Sequence, residues 1–200
     1  MVILYLARHG ETLWNTQQIM QGWSNSELTE SGIRHAISLG NRLKDVPFQA
    51  VYASPSKRAV HTAELIMQNR NTPSIIVNDN LRELKLGEWE GKTQSYVEEH
   101  YPTEYHDFWY APARFTVVGG ESFTDFQKRV FLFLKQMEQQ EGNVLVVTHT
   151  VVIKYLLAYF KDIPLEKLWD PPYIHDTSLT VIERNGEMNQ VMLEGDHSHR

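Results

Sequence analysis

Arg8, His9, Gly10 and Glu11 close the first apolar run of the chain, and Asn15 follows shortly after. An imidazole can act as a nucleophile, and an arginine beside it can hold an anion. Two further places repeat the arrangement. Ser54-Pro55-Ser56-Lys57-Arg58 puts an arginine in the first turn of an expected helix, and Thr148-His149 follows a continuous apolar run. Two guanidiniums and two imidazoles around one point suit a dianionic phosphate. Backbone amides at the helix starts would add donors. The chemistry indicated is phosphoryl transfer at a histidine.

Those residues meet only if the elements carrying them converge. Val2 to Leu6 reads as a buried strand, Ala50 to Ala53 as a second, Ile75 to Val77 as a third and Val144 to Val147 as the central one. Between them the apolar spacing predicts helices from about Glu30 to Leu43, Ser56 to Gln68, Ser122 to Gln139 and Thr150 to Phe160. Thr29 is a candidate cap for the first of these, and Ser122 with Asp125 reads as a capping box for the third. Two last strands, near Ser178 to Glu183 and Gln190 to Leu193, meet at an Asn185-Gly186 turn. This alternation predicts one α/β domain over residues 1–200, with a mostly parallel central sheet and helices on both faces. Parallel strands would bring all three sites to one sheet edge, where open α/β folds bind ligands. An aromatic-rich segment near residues 90–118 reads as an insertion over one edge.

With 42% hydrophobic and 22% charged residues, the composition is that of a soluble globular protein. A formal charge of -6 argues against nucleic acid or an anionic membrane as the main partner. The chain has no cysteine, which excludes disulfides, thiolate catalysis and cysteine-ligated metals. Met1 to Leu6 is too short for a signal segment, and Lys154 interrupts the longest apolar block, Val151 to Phe160. A cytoplasmic protein, monomer or homodimer, is expected.

The motifs Leu6-x-Arg8-His9-Gly10-Glu11-x-x-x-Asn15, Gln21-Gly22-Trp23 and Leu28-Thr29-x-x-Gly32 occur in order. Ser54-Pro55-Ser56-x-Arg58-Ala59-x-x-Thr62-Ala63, Leu81-x-Glu83, Gly87-x-Trp89-Glu90-Gly91, Gly120-Glu121-Ser122 and Val147-Thr148-His149 follow. The set resembles the histidine phosphatase superfamily, the phosphoglycerate mutase-like proteins, and most of all its bacterial broad-specificity phosphatases. The resemblance implies His9 as nucleophile, with Arg8, Arg58 and His149 holding the phosphoryl oxygens. It implies Glu83 as general acid and then base. Asn15, Gln21, Gly22 and Ser122 would bind substrate. In sequence alone Glu11, Glu88 and Glu90 are rival carboxylates, and Glu11 is expected to orient the loop or a histidine. No metal or other cofactor is expected, because no closely spaced carboxylate cluster suits magnesium.

Within that family the expected activity is metal-independent hydrolysis of small phosphomonoesters through a phosphohistidine. The alternatives are a phosphoglycerate mutase-type transferase and a non-catalytic phosphate binder. Lysine and arginine are scarce between Glu83 and Gly120, and a bisphosphorylated intermediate would want a second basic cluster. Within the aromatic stretch, Phe108 and Trp109 are the candidates for touching substrate. His197 and His199 read as a frayed polar tail rather than a metal site.

Overall fold

A computed structural model describes residues 1–68, 70, 73–186 and 188–200. Its six strands are β1 (Val2–Arg8), β2 (Phe48–Ala53), β3 (Ile75–Val77), β4 (Gly142–Thr148), β5 (Leu179–Asn185) and β6 (Met188–Asp196). They form one sheet in the order β3-β2-β4-β1-β5-β6. The four strands from β3 to β1 are parallel, while β5 and β6 are antiparallel additions beside β1.

Strand alternation divides the core in two. Leu4 and Leu6 of β1 and Val144 and Val146 of β4 face one layer, with Phe126, Val130, Val152 and Leu156 packed on them. Those four come from α6 (Phe123–Met137) and α7 (Thr150–Phe160). Ala7, Leu145 and Val147 face the opposite layer, made by α2 (Glu30–Arg42) and α3 (Lys57–Met67). Both faces of β4 are therefore buried, and its run of apolar residues needs no polar alternation. Among the described residues no helix is long and apolar enough to cross a membrane.

Register is what builds the site. Arg8 pairs with Thr148, and Ala53 pairs with Val147, so β1, β2 and β4 end at one height. The ladder continues past the strands: His9 N–H donates to the Thr148 carbonyl at 3.0 Å and Ser54 N–H to that of Val147 at 2.9 Å. Close packing of the first loop explains part of its motif. A Cβ on Gly32 would lie 2.3 Å from the Glu11 carbonyl, and one on Gly10 would lie 2.9 Å from the carbonyl of Gly32.

The structure adds two details to the expected elements and corrects one expectation. The loop after β1 contains a short helix, α1 (Leu13–Thr16), capped reciprocally by Thr12 and Asn15. The aromatic segment folds as α4 (Gln94–His100) and α5 (Pro102–Tyr110), joined to residues 19 and 20 by the Ile19–Thr93 bridge. Through Gln94, Phe108 and Trp109 it also walls a pocket at the end of the sheet. The C-terminal tail is docked: Asp196 pairs with Arg42 at 2.9 Å, and Arg200 with Asp176 at 3.3 Å. The basic side chains of α2 and the tail itself supply partners that a frayed end would lack.

Candidate active site

A pocket of about 350 Å³ opens at the common end of β1, β2 and β4. Arg8, His9, Asn15, Gln21, Gly22, Arg58 and Glu83 all line it. His149 is fully buried beneath, with its ring centroid 5.2 Å from that of His9.

His9 is 4% exposed, and its Nδ1–H donates to the Gly10 carbonyl at 2.8 Å. A carbonyl can only accept, so this bond fixes the tautomer and leaves the lone pair on Nε2. Burial, with Arg58 and Arg8 nearby, pushes the imidazole well below its ordinary value. The neutral, nucleophilic form is therefore the resting form at neutral pH.

Arg58 sits in the first turn of α3 and is 2% exposed. Its guanidinium donates to the Gly22 carbonyl at 2.8 Å, the Ser24 carbonyl at 2.6 Å and Asn25 Oδ1 at 3.2 Å. Burial lowers it only to about 10, so it stays cationic at neutral pH. Arg8 donates to the Ile174 carbonyl at 2.8 Å. The Nε–H groups of both arginines are buried without a protein partner, a costly state for a charged donor. Both side chains line the pocket, and two guanidiniums around one space form a receptor for an anion.

His149 caps α7 and approaches Ser54 Oγ through Nε2 at 2.7 Å. Its Nδ1 accepts from Arg58 at 3.3 Å. Burial and the Arg58 charge hold it well below the usual histidine range. A bound dianion would offset the Arg58 charge and favour the protonated imidazole.

Glu83 stands on an irregular segment, and its carboxylate accepts from the N–H groups of Leu84 at 2.9 Å and Val151 at 3.3 Å. Burial outweighs these bonds and the nearby arginines, and raises its pKa. A carboxyl held protonated above its ordinary range can donate a proton to a departing oxygen.

Of the residues expected to bind substrate, three line the pocket and one does not. Asn15 Oδ1 is committed to Thr12 at 3.0 and 2.9 Å, which leaves the amide nitrogen for a ligand. Gln21 is 8% exposed, with Oε1 unpartnered. Gly22 contributes its carbonyl to Arg58; its φ of +50° and the Glu90 carboxylate 2.4 Å from a would-be Cβ both require glycine. Ser122 lies outside the pocket lining. It accepts from Asp125 N–H at 3.1 Å as the cap of α6 and donates to Asp125 Oδ2. Glu11 orients no histidine: it accepts from Thr29 Oγ1 at 2.7 Å, steadying the cap of α2.

Glu90, one of the rival carboxylates, proves to be a loop anchor. It accepts from the N–H groups of Trp23 and Ser24 at 3.0 Å each and from Ser24 Oγ at 2.7 Å. It therefore fixes the loop whose carbonyls hold Arg58. Beyond the polar end the pocket turns apolar, with Trp14, Ile19, Met20, Phe108, Trp109 and Trp169 in its walls. Among the described residues no group of three or more histidine, aspartate, glutamate or cysteine side chains could hold a metal ion.

Comparison with known proteins agrees with this geometry. A model of the histidine phosphatase superfamily (branch 1) matches residues 4–197. The adenosylcobalamin/alpha-ribazole phosphatase of Salmonella typhimurium is 33% identical over 169 residues, 83% of each chain. A 2,3-bisphosphoglycerate-dependent phosphoglycerate mutase of Cytophaga hutchinsonii is 32% identical over 173 residues, 84% of this chain and 81% of that one. The solved structure of Bacillus stearothermophilus YhfR superposes with a TM-score of 0.94 at 45% identity, covering 100% of this chain and 99% of the other. A match reaching from β1 to the C-terminal tail leaves one assignment: the chain belongs to the histidine phosphatase superfamily, branch 1.

Proposed function

We propose that this protein is a metal-independent phosphomonoesterase that works through a phosphohistidine at His9 on small phosphorylated metabolites, with broad specificity. One observation carries the reading. A neutral imidazole with its Nδ1–H tied to Gly10 shares a pocket with two arginines and a carboxyl of raised pKa.

In this mechanism Nε2 of His9 attacks phosphorus, the bond from phosphorus to the ester oxygen breaks, and Glu83 gives that oxygen its proton. The Glu83 carboxylate then takes a proton from water as the water attacks phosphohistidine, releasing phosphate and restoring His9. Arg8 and Arg58 neutralise the oxygens throughout, the task a metal performs elsewhere. The walls favour apolar or aromatic ester groups. Among the described residues Arg8 and Arg58 are the only lysine or arginine side chains lining the pocket, both at its polar end. A second phosphate has no cation to meet, which favours hydrolysis over a mutase reaction.

The test is a phosphomonoester panel assayed with chelator present, following free phosphate. Release without metal, better for aryl than for highly charged sugar phosphates, supports the reading. Interconversion of phosphoglycerates with no net phosphate release would favour the mutase, and inactivity in both assays would leave a phosphate binder.

The pH profile of kcat/KM should be a bell. Because the pKa of His9 is depressed, the nucleophile stays neutral into acid, and the acid limb appears only where His9 takes a proton. Because that of Glu83 is raised, the general acid survives above the ordinary carboxylate range, and the alkaline limb marks its loss. Glu83→Gln should remove the alkaline limb. The substrate's own ionisation near about 6 is common to both proteins and cancels in the comparison.

A further inference from the structure

Residues 82–86 follow a single helical turn and belong to no helix or strand, so Glu83 lacks the ladder bonds that hold the other site residues. Side chains take their place. Arg129 of α6 donates to the backbone carbonyls of Asn80 at 3.1 Å, Arg82 at 2.7 Å and Glu83 at 2.8 Å. Its remaining donors form a two-point pair with Glu121, Nε to Oε1 at 2.6 Å and Nη2 to Oε2 at 2.7 Å. All five guanidinium N–H groups are thereby used. Thr148 Oγ1 donates to the one carbonyl left over in this run, that of Leu81, at 2.7 Å. Trp23 Nε1–H adds a second bond to the Glu83 carbonyl at 2.8 Å.

We infer that Arg129, oriented by Glu121, is the positioning residue that fixes Glu83 for proton transfer. This rests on the proposed acid role of Glu83. The clamp grips the backbone on either side of Glu83 and leaves its carboxyl free to exchange a proton. A planar five-donor fork is needed for five acceptors around one point, and the three donors of a lysine cannot reach them all. Glu121 serves the same end, because its carboxylate sets the plane of the guanidinium. A displacement of a catalytic group by about 1 Å costs on the order of a hundredfold in rate, so a loose Glu83 would show as failed proton donation.

Proton donation matters most for esters whose departing oxygen is strongly basic. The test is kcat/KM, which reports steps through phosphoryl transfer to His9, across aryl and alkyl phosphates ordered by leaving-group basicity. Wild type should show a shallow dependence and Glu83→Gln a steep one. Arg129→Lys should also be steep, losing about 10- to 100-fold on alkyl phosphates but less than about threefold on p-nitrophenyl phosphate. The double variant should be no worse than Glu83→Gln, because both changes act through one carboxyl.

A uniform loss across the series in Arg129→Lys, with Glu83→Gln steep, would overturn the inference and leave Arg129 a purely structural clamp. An unchanged slope in Glu83→Gln would overturn the acid role itself, and the inference with it. Should Arg129→Lys fail to fold, Glu121→Gln decides. It removes the carboxylate charge that orients the guanidinium and should steepen the slope by about threefold between the series ends; no steepening would overturn the inference.

Discussion

His9→Ala should reduce phosphate release by at least about a thousandfold while leaving a folded protein that still binds inorganic phosphate. The loss is large because the variant removes the proposed nucleophile, Nε2 of His9. Oxygen-holding groups remain: Arg8, Arg58 and Asn15 line the pocket independently of the imidazole. Folding should survive because His9 makes one side-chain hydrogen bond, to the adjacent Gly10 carbonyl, and one edge contact with His149. Their removal costs about 1–2 kcal/mol. Steady-state kinetics, thermal melting and phosphate protection check the three parts together. Residual turnover above about a tenth of wild type would contradict a nucleophilic His9.

Arg58→Met should lower kcat/KM by about 100- to 1000-fold, the range found when one well-placed donor to developing charge is removed. This variant differs from His9→Ala in also weakening phosphate binding and stability. The Gly22 and Ser24 carbonyls and Asn25 Oδ1 lose their shared donor, and an unpaired buried acceptor costs about 1–3 kcal/mol. The loop from Gln21 to Asn25 should loosen, because Glu90 holds it through the Trp23 and Ser24 N–H groups and Ser24 Oγ but leaves the Gly22 and Ser24 carbonyls without a donor. Hydrogen exchange across residues 21–25 would reveal it. Unchanged phosphate affinity in Arg58→Met would contradict the placement of Arg58 on the phosphoryl group. Arg58→Lys should recover little, since one ammonium cannot hold both carbonyls and an anion.

How much of this was legible in the sequence depended on how each residue is held. Arg8, His9, Arg58 and His149 were readable because each follows a strand of strong apolar pattern, and parallel pairing carries a strand end to a fixed place. Glu83 was different. Its segment has no periodicity, and only the family resemblance separated it from Glu11, Glu88 and Glu90. The structure supplies a physical separation: Glu83 lines the pocket, Glu11 binds Thr29, and Glu90 binds the loop at Ser24.

Contacts to backbone carbonyls left no trace in the pattern. Arg129 reads as a charge on an amphipathic helix, yet it holds residues 80–83 from 46 to 49 positions away. Lys154 reads as an interruption of an apolar block. It is 7% exposed and donates to the carbonyls of Asp170 and Pro172, steadying the segment that bears Trp169 and Tyr173 at the pocket. Ser122 is the opposite case. Its local capping signal was sound, and the family motif around it suggested a second role for which the pocket lining gives no place. The tail failed for a simpler reason: its partners, Arg42 and Asp176, are remote in sequence.

The most direct test of the central claim is rapid mixing with an aryl phosphate, quenching within the first turnover, and mapping of any phosphoryl group on the protein. A phosphoryl adduct on His9, labile to acid, stable to base and absent from His9→Ala, is the predicted result. Turnover with no adduct at any quench time, or an adduct on a residue other than His9, would contradict it.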